Sequence, residues 1–346
     1  MNTGLVDITP LTEIWMPPTT EGIRMHVSMP CPMKVPFKQL FTPFVETYNE
    51  QYPAQPISCP DITDCTSQDI GYLLQNSVSK STFPDIIVSS NYDIFFKYGF
   101  YDRFLKTGVY TGFTNPSDLA AMPQAIRDNL KRNNMGALCF MSWSVVRDLS
   151  VENIPEIHSW AQLLTPDMKG QITVHGHADK VTFGLMYFLR KTLGDEAICQ
   201  LARNITDIKH FSQIIKRFCS TDPHRTAFSI LPDVAVHKIP SGKKVRIVDM
   251  KEGKVLNPLM MAVRTSKLKQ CRPVLDIFGS KEFRAMLRNG CILPDSQDIS
   301  KPCFMPDFGV MASDYVRMEK EFEALYLEKL DFSAINERAT QGGVCR

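Results

Sequence analysis

Two stretches of the sequence decide the fold, and the first reads Trp160-Ala-Gln-Leu-Leu-Thr-Pro-Asp-Met-Lys-Gly-Gln-Ile-Thr-Val174. It predicts a short helix, a turn at Lys-Gly and then a buried strand. The second reads Phe278-Gly-Ser-Lys-Glu-Phe-Arg-Ala-Met-Leu-Arg-Asn-Gly-Cys-Ile-Leu-Pro294. It predicts a helix that begins after a serine cap and ends at Gly and Pro. Helices that alternate with buried strands are typical of an α/β protein.

The composition is that of an ordinary globular protein. The chain has 346 residues, of which 44% are hydrophobic and 22% charged, enough for about two domains with sizeable cores. A net charge of +2 without a clustered basic face argues against nucleic acid as a partner. No apolar run approaches the length of about 18 residues that a membrane span needs, so no membrane insertion is expected.

The start of the chain and the cysteines bear on the compartment. The first thirty residues contain several acids and prolines, with no basic start and no apolar core, so they do not resemble a secretory signal. Residues 1–21 are expected to form an irregular arm. Ten cysteines without a Cys-x-x-Cys pair favour a reducing compartment. The sequence as it stands therefore predicts a cytoplasmic location, and a periplasmic or extracellular one if a signal was removed.

Strands and helices are predicted in alternation along the chain. Residues 23–29 alternate as a strand does, and the apolar positions between Phe37 and Tyr48 recur at helical spacing. Residues 85–90 predict a buried parallel strand that opens into a helix. The longest buried strands are predicted at 136–146 and 256–263, and only helices follow the second of them.

This order, together with the two stretches quoted above, resembles the type II periplasmic solute-binding proteins of ABC importers, most closely the iron, polyamine and thiamine group. The resemblance covers about residues 22–330. It implies an α/β fold of two lobes, each with a mixed sheet covered by helices, joined by two hinge strands at 136–146 and 256–263. Residues 22–138 and 262–346 would form lobe one, and residues 139–261 lobe two. It also implies a small-molecule or ion ligand and an ABC permease as partners, and we expect a monomer.

Ligands of two-lobed α/β binders lie outside the carboxyl ends of the strands, and this rule selects four loops. The first contains Cys31, Met33 and Lys34, whose thiol, thioether and ammonium suit a soft metal, an anion or an oxidisable ligand. The alternative is a turn made rigid by proline, with a capping lysine.

The second loop contains Ser89, Ser90 and Asn91, at a strand end that opens a helix. Hydroxyl and N–H groups at a helix N-terminus favour a carboxylate, a phosphate or another oxyanion. Simple N-capping uses the same groups, so both interpretations stay open.

The third loop contains His175, His177 and Asp179, which predict a metal site because neutral imidazole suits zinc, copper, nickel or iron. A closed site needs further ligands, so the alternative is a polar rim in which Asp179 caps the next helix. The fourth loop contains Pro232 and Asp233, where capping alone also explains the pattern. Trp143 lies on the first hinge strand, where it either stacks on a ligand or packs in the core.

We therefore predict a solute-binding protein that closes its cleft on a metal ion, an oxyanion or a small carboxylate, for ABC-type import or intracellular carriage. The sequence has no P-loop, Gly-x-Ser-x-Gly or His-Glu-x-x-His motif, which argues against an enzyme. The alternatives are a cytosolic enzyme of the same fold that uses Cys31 or a cleft histidine, and an interaction module with a degenerate cleft.

Overall fold

The computed structural model describes residues 22–59, 83–177, 180–220, 225–288, 291–296 and 303–341. The chain divides into two units. Unit one comprises Met1–Phe140 and Pro258–Ile299, and unit two comprises Met141–Asn257 and Ser300–Arg346. Each unit is therefore built from discontinuous segments. Two long strands, β5 (Gly136–Asp148) and β11 (Lys254–Arg264), contribute residues to both units, as predicted for the hinge strands.

Unit one contains a mixed sheet. Its strands are β1 (Ile23–Ser28), β2 (Ile57–Ser58), β3 (Ile86–Ser89), β4 (Tyr110–Gly112) and parts of β5 and β11. Its α-helices are α1 (Lys34–Gln51), α2 (Pro116–Ala121), α3 (Gln124–Arg132), α9 (Arg272–Phe278) and α10 (Lys281–Leu287). Strands β2 and β3 pair with β1 in parallel, whereas β11 pairs with β3 and β4 antiparallel.

Aromatic packing fixes helix α1 in unit one. Phe37 and Phe41 are fully buried, and Phe37 packs against Phe278 of α9 and Phe283 of α10, with ring centroids 5.9 and 6.1 Å apart. These residues recur at helical spacing, so one face of α1 is apolar and the other is solvated. The predicted helix and its buried face are confirmed.

A buried acid ties the strands of unit one together. The Asp85 side chain is fully buried and lies 2.9 Å from the Arg264 guanidinium and 3.1 Å from the Lys267 ammonium. The backbone N–H of Arg24 also donates to it, at 3.0 Å. A buried carboxylate is tolerated only when charges and donors of this kind surround it.

Unit two contains a second mixed set of strands. They are β6 (Ile172–His177), β7 (Lys180–Val181), β8 (Ile205–Lys209), β9 (Phe228–Pro232), β10 (Val245–Val248), β12 (Cys303–Phe304) and parts of β5 and β11. Its α-helices are α4 (Trp160–Leu163), α5 (Phe183–Leu193), α6 (Glu196–Asn204), α7 (Phe211–Phe218), α8 (Asp233–Val236) and α11 (Phe308–Gln341). Strand β6 pairs in parallel with both β8 and β9, so the carboxyl ends of these three strands share one edge.

The C-terminal helix lies in a different place from the predicted one. The sequence assigned residues 262–346 to lobe one, but residues 300–346 group with unit two. Phe308, Met311, Tyr315 and Met318 of α11 are all buried, and the Tyr315 ring stacks on Phe183 of α5 with centroids 4.0 Å apart. Burial of this apolar stripe against α5 explains the assignment, because helices pack where their apolar faces find a partner.

A second difference concerns the loop after β6. A helix capped by Asp179, one of the alternatives from the sequence, would begin at about Lys180, but α5 begins at Phe183. Lys180 instead pairs with His177 in a short hairpin between β6 and β7. The backbone groups near His177 are thus engaged in strand pairing and do not form a helix N-terminus. In the part of the chain that the structure describes, no helix is long and apolar enough to cross a membrane.

Candidate functional site

The sheet of unit one brings two of the predicted loops to one edge. Strands β1 and β3 are parallel and in register, so Ser28 lies opposite Ser89. The loop with Cys31, Met33 and Lys34 follows β1, and the loop with Ser90 and Asn91 follows β3. The carboxyl-end rule therefore selected neighbouring loops in this unit.

Ser89 and Asn91 cap the backbone after β3. The Ser89 hydroxyl oxygen accepts from the Asn91 N–H at 3.0 Å, and the Asn91 side-chain oxygen accepts from the Asp93 N–H at 2.9 Å. The turn that follows, Asp93–Lys97, is a π-helix. Two of the N–H groups that were expected to receive an anion are thus satisfied within the loop, as the capping interpretation predicts.

The three residues of the first loop have different surroundings. Cys31 is exposed at the start of a single 3₁₀ turn, whereas Met33 is buried at its end. The Met33 thioether accepts a hydrogen bond from the Cys291 thiol, with the sulfur atoms 3.6 Å apart. Lys34, the first residue of α1, is only 8% exposed, which is unusual for a lysine.

In unit two, an imidazole–aromatic cluster of Trp143, His175, His210 and Phe211 lies at the shared carboxyl edge of the parallel strands. The Trp143 indole stacks on the His175 imidazole, with centroids 5.9 Å apart and planes at 28°. The His175 ring also meets His210 and Phe211 edge-on, with centroids 5.7 Å away in both cases. Trp143 is buried and the other three side chains are half-buried, so the cluster borders solvent.

Backbone contacts set the proton positions on the two histidines. His175 Nδ1 lies 3.3 Å from the Lys209 carbonyl oxygen, which only accepts, so this contact needs the proton on Nδ1 and the lone pair on Nε2. His210 Nδ1 accepts from the Ser212 N–H at the start of α7, which places the proton of the neutral ring on Nε2. These contacts assign the Nδ1–H tautomer to His175 and the Nε2–H tautomer to the neutral ring of His210.

Asp233 follows β9 and holds the shared strand β5. Its carboxylate accepts from the hydroxyl groups of Ser142 and Ser144, and the Lys254 ammonium lies 3.8 Å away. Pro232, one residue earlier, pairs with Trp143. The carboxylate is thus engaged in positioning β5, and the two serines were not identified from the sequence.

The predicted metal group is described only in part. Asp179 and the side chain of His177 lie outside the described residues, while His175 stacks on Trp143. Within the described residues no group of three or more His, Cys, Asp or Glu side chains is arranged to hold a metal ion. The three-residue metal site therefore stays a prediction.

His210 and Phe211 were not among the residues predicted from the sequence, because strand β8 was not predicted. The signal was present in Ile205-Thr-Asp-Ile-Lys209, a short run with three β-branched residues, followed by the amphipathic helix α7. A strand that opens into a helix at this position brings His210 to the same edge as His175.

Comparison with known proteins identifies the family. The model of the family described as bacterial extracellular solute-binding protein matches residues 81–306, well over half of the chain. The protein belongs to this solute-binding family. No match among curated proteins reaches significance.

Solved structures show that this solute-binding protein has the two-lobed, type II periplasmic-binding-protein fold. An ABC transporter protein from Clostridium perfringens ATCC 13124 is 16% identical, with a TM-score of 0.61 over 87% of this chain and 98% of that one. A ferric binding protein from Campylobacter jejuni is 13% identical, with a TM-score of 0.57 over 88% and 98% of the two chains. Ferric ion-binding protein A from Pasteurella haemolytica is 11% identical, with a TM-score of 0.58 over 87% and 96%.

The family and these structures are substrate-binding proteins, not enzymes. The predicted α/β fold, the resemblance and the non-enzymatic function are confirmed. The alternative of an enzyme that uses Cys31 or a cleft histidine gains no support from them. The family is an extracellular one, which argues against the cytoplasmic location that the sequence predicted.

Proposed function

We propose that this solute-binding protein delivers a metal ion, an oxyanion or a small carboxylate to an ABC permease from the periplasm or the cell exterior. The ligand class is inferred from the imidazole–aromatic cluster of unit two. Its His175 imidazole donates Nδ1–H to a backbone carbonyl, an arrangement common among metal-ligating histidines. Its His210 ring, as the Nε2–H tautomer, is a hydrogen-bond donor of the kind that suits an oxyanion or a carboxylate.

The aromatic members of the cluster suit the same ligands. Trp143 and Phe211 fix the His175 ring from two sides, so little side-chain entropy is lost when a ligand binds. Two of the similar structures are ferric-binding proteins, which makes ferric ion or a ferric complex the first candidate.

The remaining predicted residues receive different weight in this proposal. Cys31 and Ser90, which follow β1 and β3, and Lys34, the first residue of α1, lie at the carboxyl edge of unit one and stay candidates for ligand contact. Ser89, Asn91, Pro232 and Asp233 act mainly as caps and positioning groups. His177 and Asp179 stay predictions, as do closure of the lobes and the monomeric state.

The test begins with native mass spectrometry of the protein purified without chelators, compared with its denatured mass. The stripped protein is then titrated calorimetrically with ferric citrate, phosphate and citrate, with glucose and spermidine as neutral and cationic controls. One added ferric ion or anion per chain, or submicromolar binding of one of the first three probes, supports the proposal. Binding of only glucose or spermidine contradicts the proposed ligand class.

A comparison of probe binding by His175→Ala and by the control variant His237→Ala tests whether the site lies in the cluster. His237 is an exposed histidine of the same unit, one residue beyond α8. Loss of probe binding in His175→Ala alone supports the cluster as the site. If both variants bind the probe as the wild type does, the site lies outside the cluster, although solute binding itself is not contradicted.

A further inference from the structure

In unit one Cys291 lies next to two further sulfur-containing side chains, and we call Met33, Cys139 and Cys291 the sulfur cluster. The Cys291 thiol donates to the Met33 thioether across 3.6 Å. Cys139 and Cys291 each precede a residue of the antiparallel bridge between Phe140 and Ile292, which brings the two thiols to the same face, and Cys291 interacts with the Cys139 thiol. The three residues come from the turn before α1, from β5 and from the segment after α10, so the chain brings them together from distant positions.

The backbone around the cluster is held on each side. Phe140 and Ile292, which follow the two cysteines, exchange N–H···O bonds of 2.9 and 2.7 Å. The Cys291 N–H donates to the Leu287 carbonyl at the end of α10, and the Met33 N–H donates to Pro30. The sulfur atoms are therefore presented by fixed backbone, which lowers the entropic cost of ligating an ion.

Burial gives the cluster its chemical character. Cys139 is fully buried and Met33 is 3% exposed, whereas Cys291 is half-buried and offers a route from solvent. Burial, then the hydrogen bond with Cys291, raises the pKa of the Cys139 thiol. A bound metal ion therefore has to displace the proton of the Cys139 thiol.

The donor set discriminates among metals. Two thiols and a thioether are soft ligands, which favour Cu(I) over hard cations, and a thioether is a poor ligand for zinc or ferric ion. A trigonal ion with metal–sulfur bonds of about 2.3 Å needs sulfur atoms about 4 Å apart. The 3.6 Å contact between Met33 and Cys291 approaches this geometry and needs only a small expansion.

We propose that Met33, Cys139 and Cys291 bind one soft monovalent ion, Cu(I) or its analogue Ag(I). Both thiols release their protons to solvent, and the two thiolates and the thioether ligate the ion without a change of oxidation state. The site uses none of the residues of the imidazole–aromatic cluster. It therefore stands or fails independently of the proposed function.

The test uses the full chain, reduced and freed of reductant under anaerobic conditions. Cu(I) affinity is measured by competition with bathocuproine disulfonate, and stoichiometry by native mass spectrometry. We expect Cys291→Ser to weaken the tightest site about 100-fold or more and Met33→Leu about tenfold, because each removes one soft ligand. Met260→Leu, a buried methionine of β11, and Cys271→Ser, a buried cysteine beside α9, are the matched controls and should bind as the wild type does.

Met33→Leu conserves side-chain volume and is expected to fold, so its Cu(I) affinity still tests the proposal if Cys291→Ser folds poorly. Wild-type Cu(I) affinity in both Met33→Leu and Cys291→Ser would overturn the proposal. A Cu(I) site that is lost only in Cys31→Ser would do the same, since it would place the ion on the exposed cysteine.

Discussion

The Trp143 indole stacks on the His175 imidazole, with ring centroids 5.9 Å apart, although the two residues lie on different strands. Trp143 is on β5, which both units share, and His175 is on β6 of unit two. The stack fixes the histidine at the shared edge of the parallel strands, where solutes bind in α/β folds.

We expect Trp143→Ala to weaken binding of the probe ion selected by calorimetry about tenfold, because the imidazole loses its stacking partner. Trp143→Phe keeps an aromatic face and should lose less. The affinities of Trp143→Ala, His175→Ala and the double variant form a cycle. Strictly additive effects would show that the stack does not position the histidine for binding.

Replacement of Asp233 tests the anchoring of β5. Asp233→Ala leaves the Ser142 and Ser144 hydroxyl groups without their acceptor, and Ser142 is only 1% exposed. We expect a loss of about 1–3 kcal/mol in the free energy of unfolding, measured in urea. Asp249→Ala, at an exposed acid of the same unit, should change it by less than about 0.5 kcal/mol. Equal stability of the two variants would contradict the anchoring role.

Asp85 is the strongest single determinant of stability that we identify in unit one. Asp85→Ala leaves Arg264 and Lys267 facing each other without their common carboxylate. We expect a loss of about 3–5 kcal/mol in the free energy of unfolding, because a buried charge loses its partner. The exposed acid Asp128 gives the control, Asp128→Ala, which should unfold at nearly the wild-type urea concentration. A small effect of Asp85→Ala would mean that water replaces the carboxylate.

His26 on β1 predicts a pH dependence of stability. Burial lowers the pKa of His26 from 6.5 to about 4. Between these values the unfolded chain binds a proton that the folded chain excludes, so His26 destabilises the fold as pH falls from about 6.5 to about 4. Its share of the loss between pH 7 and pH 5 is about 2 kcal/mol.

Urea unfolding at the two pH values measures this effect. His26→Gln cannot take up the proton and should show the smaller pH dependence. His237→Gln, at an exposed histidine, should keep the wild-type dependence. The same slope in His26→Gln as in the wild type would assign the acid sensitivity to other groups.

Some features could be predicted because they depend on local pattern. The apolar spacing of Phe37 and Phe41 identified α1, and the largely apolar run after Gly136, broken only by Ser142 and Ser144 as far as Val146, identified the strand β5 that both units share. The start of α5 could not be predicted in this way. The local sequence at Lys180 is compatible with the first turn of a helix, yet backbone pairing with His177 places Lys180 in strand β7. Competition between local propensity and strand pairing is settled by tertiary contacts.

The sequence by itself determined the element types, the α/β class and the resemblance to solute-binding proteins. The element types and the class follow from periodicity, caps and breakers, which act over a few residues, whereas the resemblance rests on the two stretches Trp160–Val174 and Phe278–Pro294 and on the order of the elements. Only the tertiary structure decided that His210 meets His175, that Met33 meets Cys291 and that α11 packs in unit two. Such contacts depend on strand order and register, which join residues far apart in the chain and leave no local pattern in the sequence.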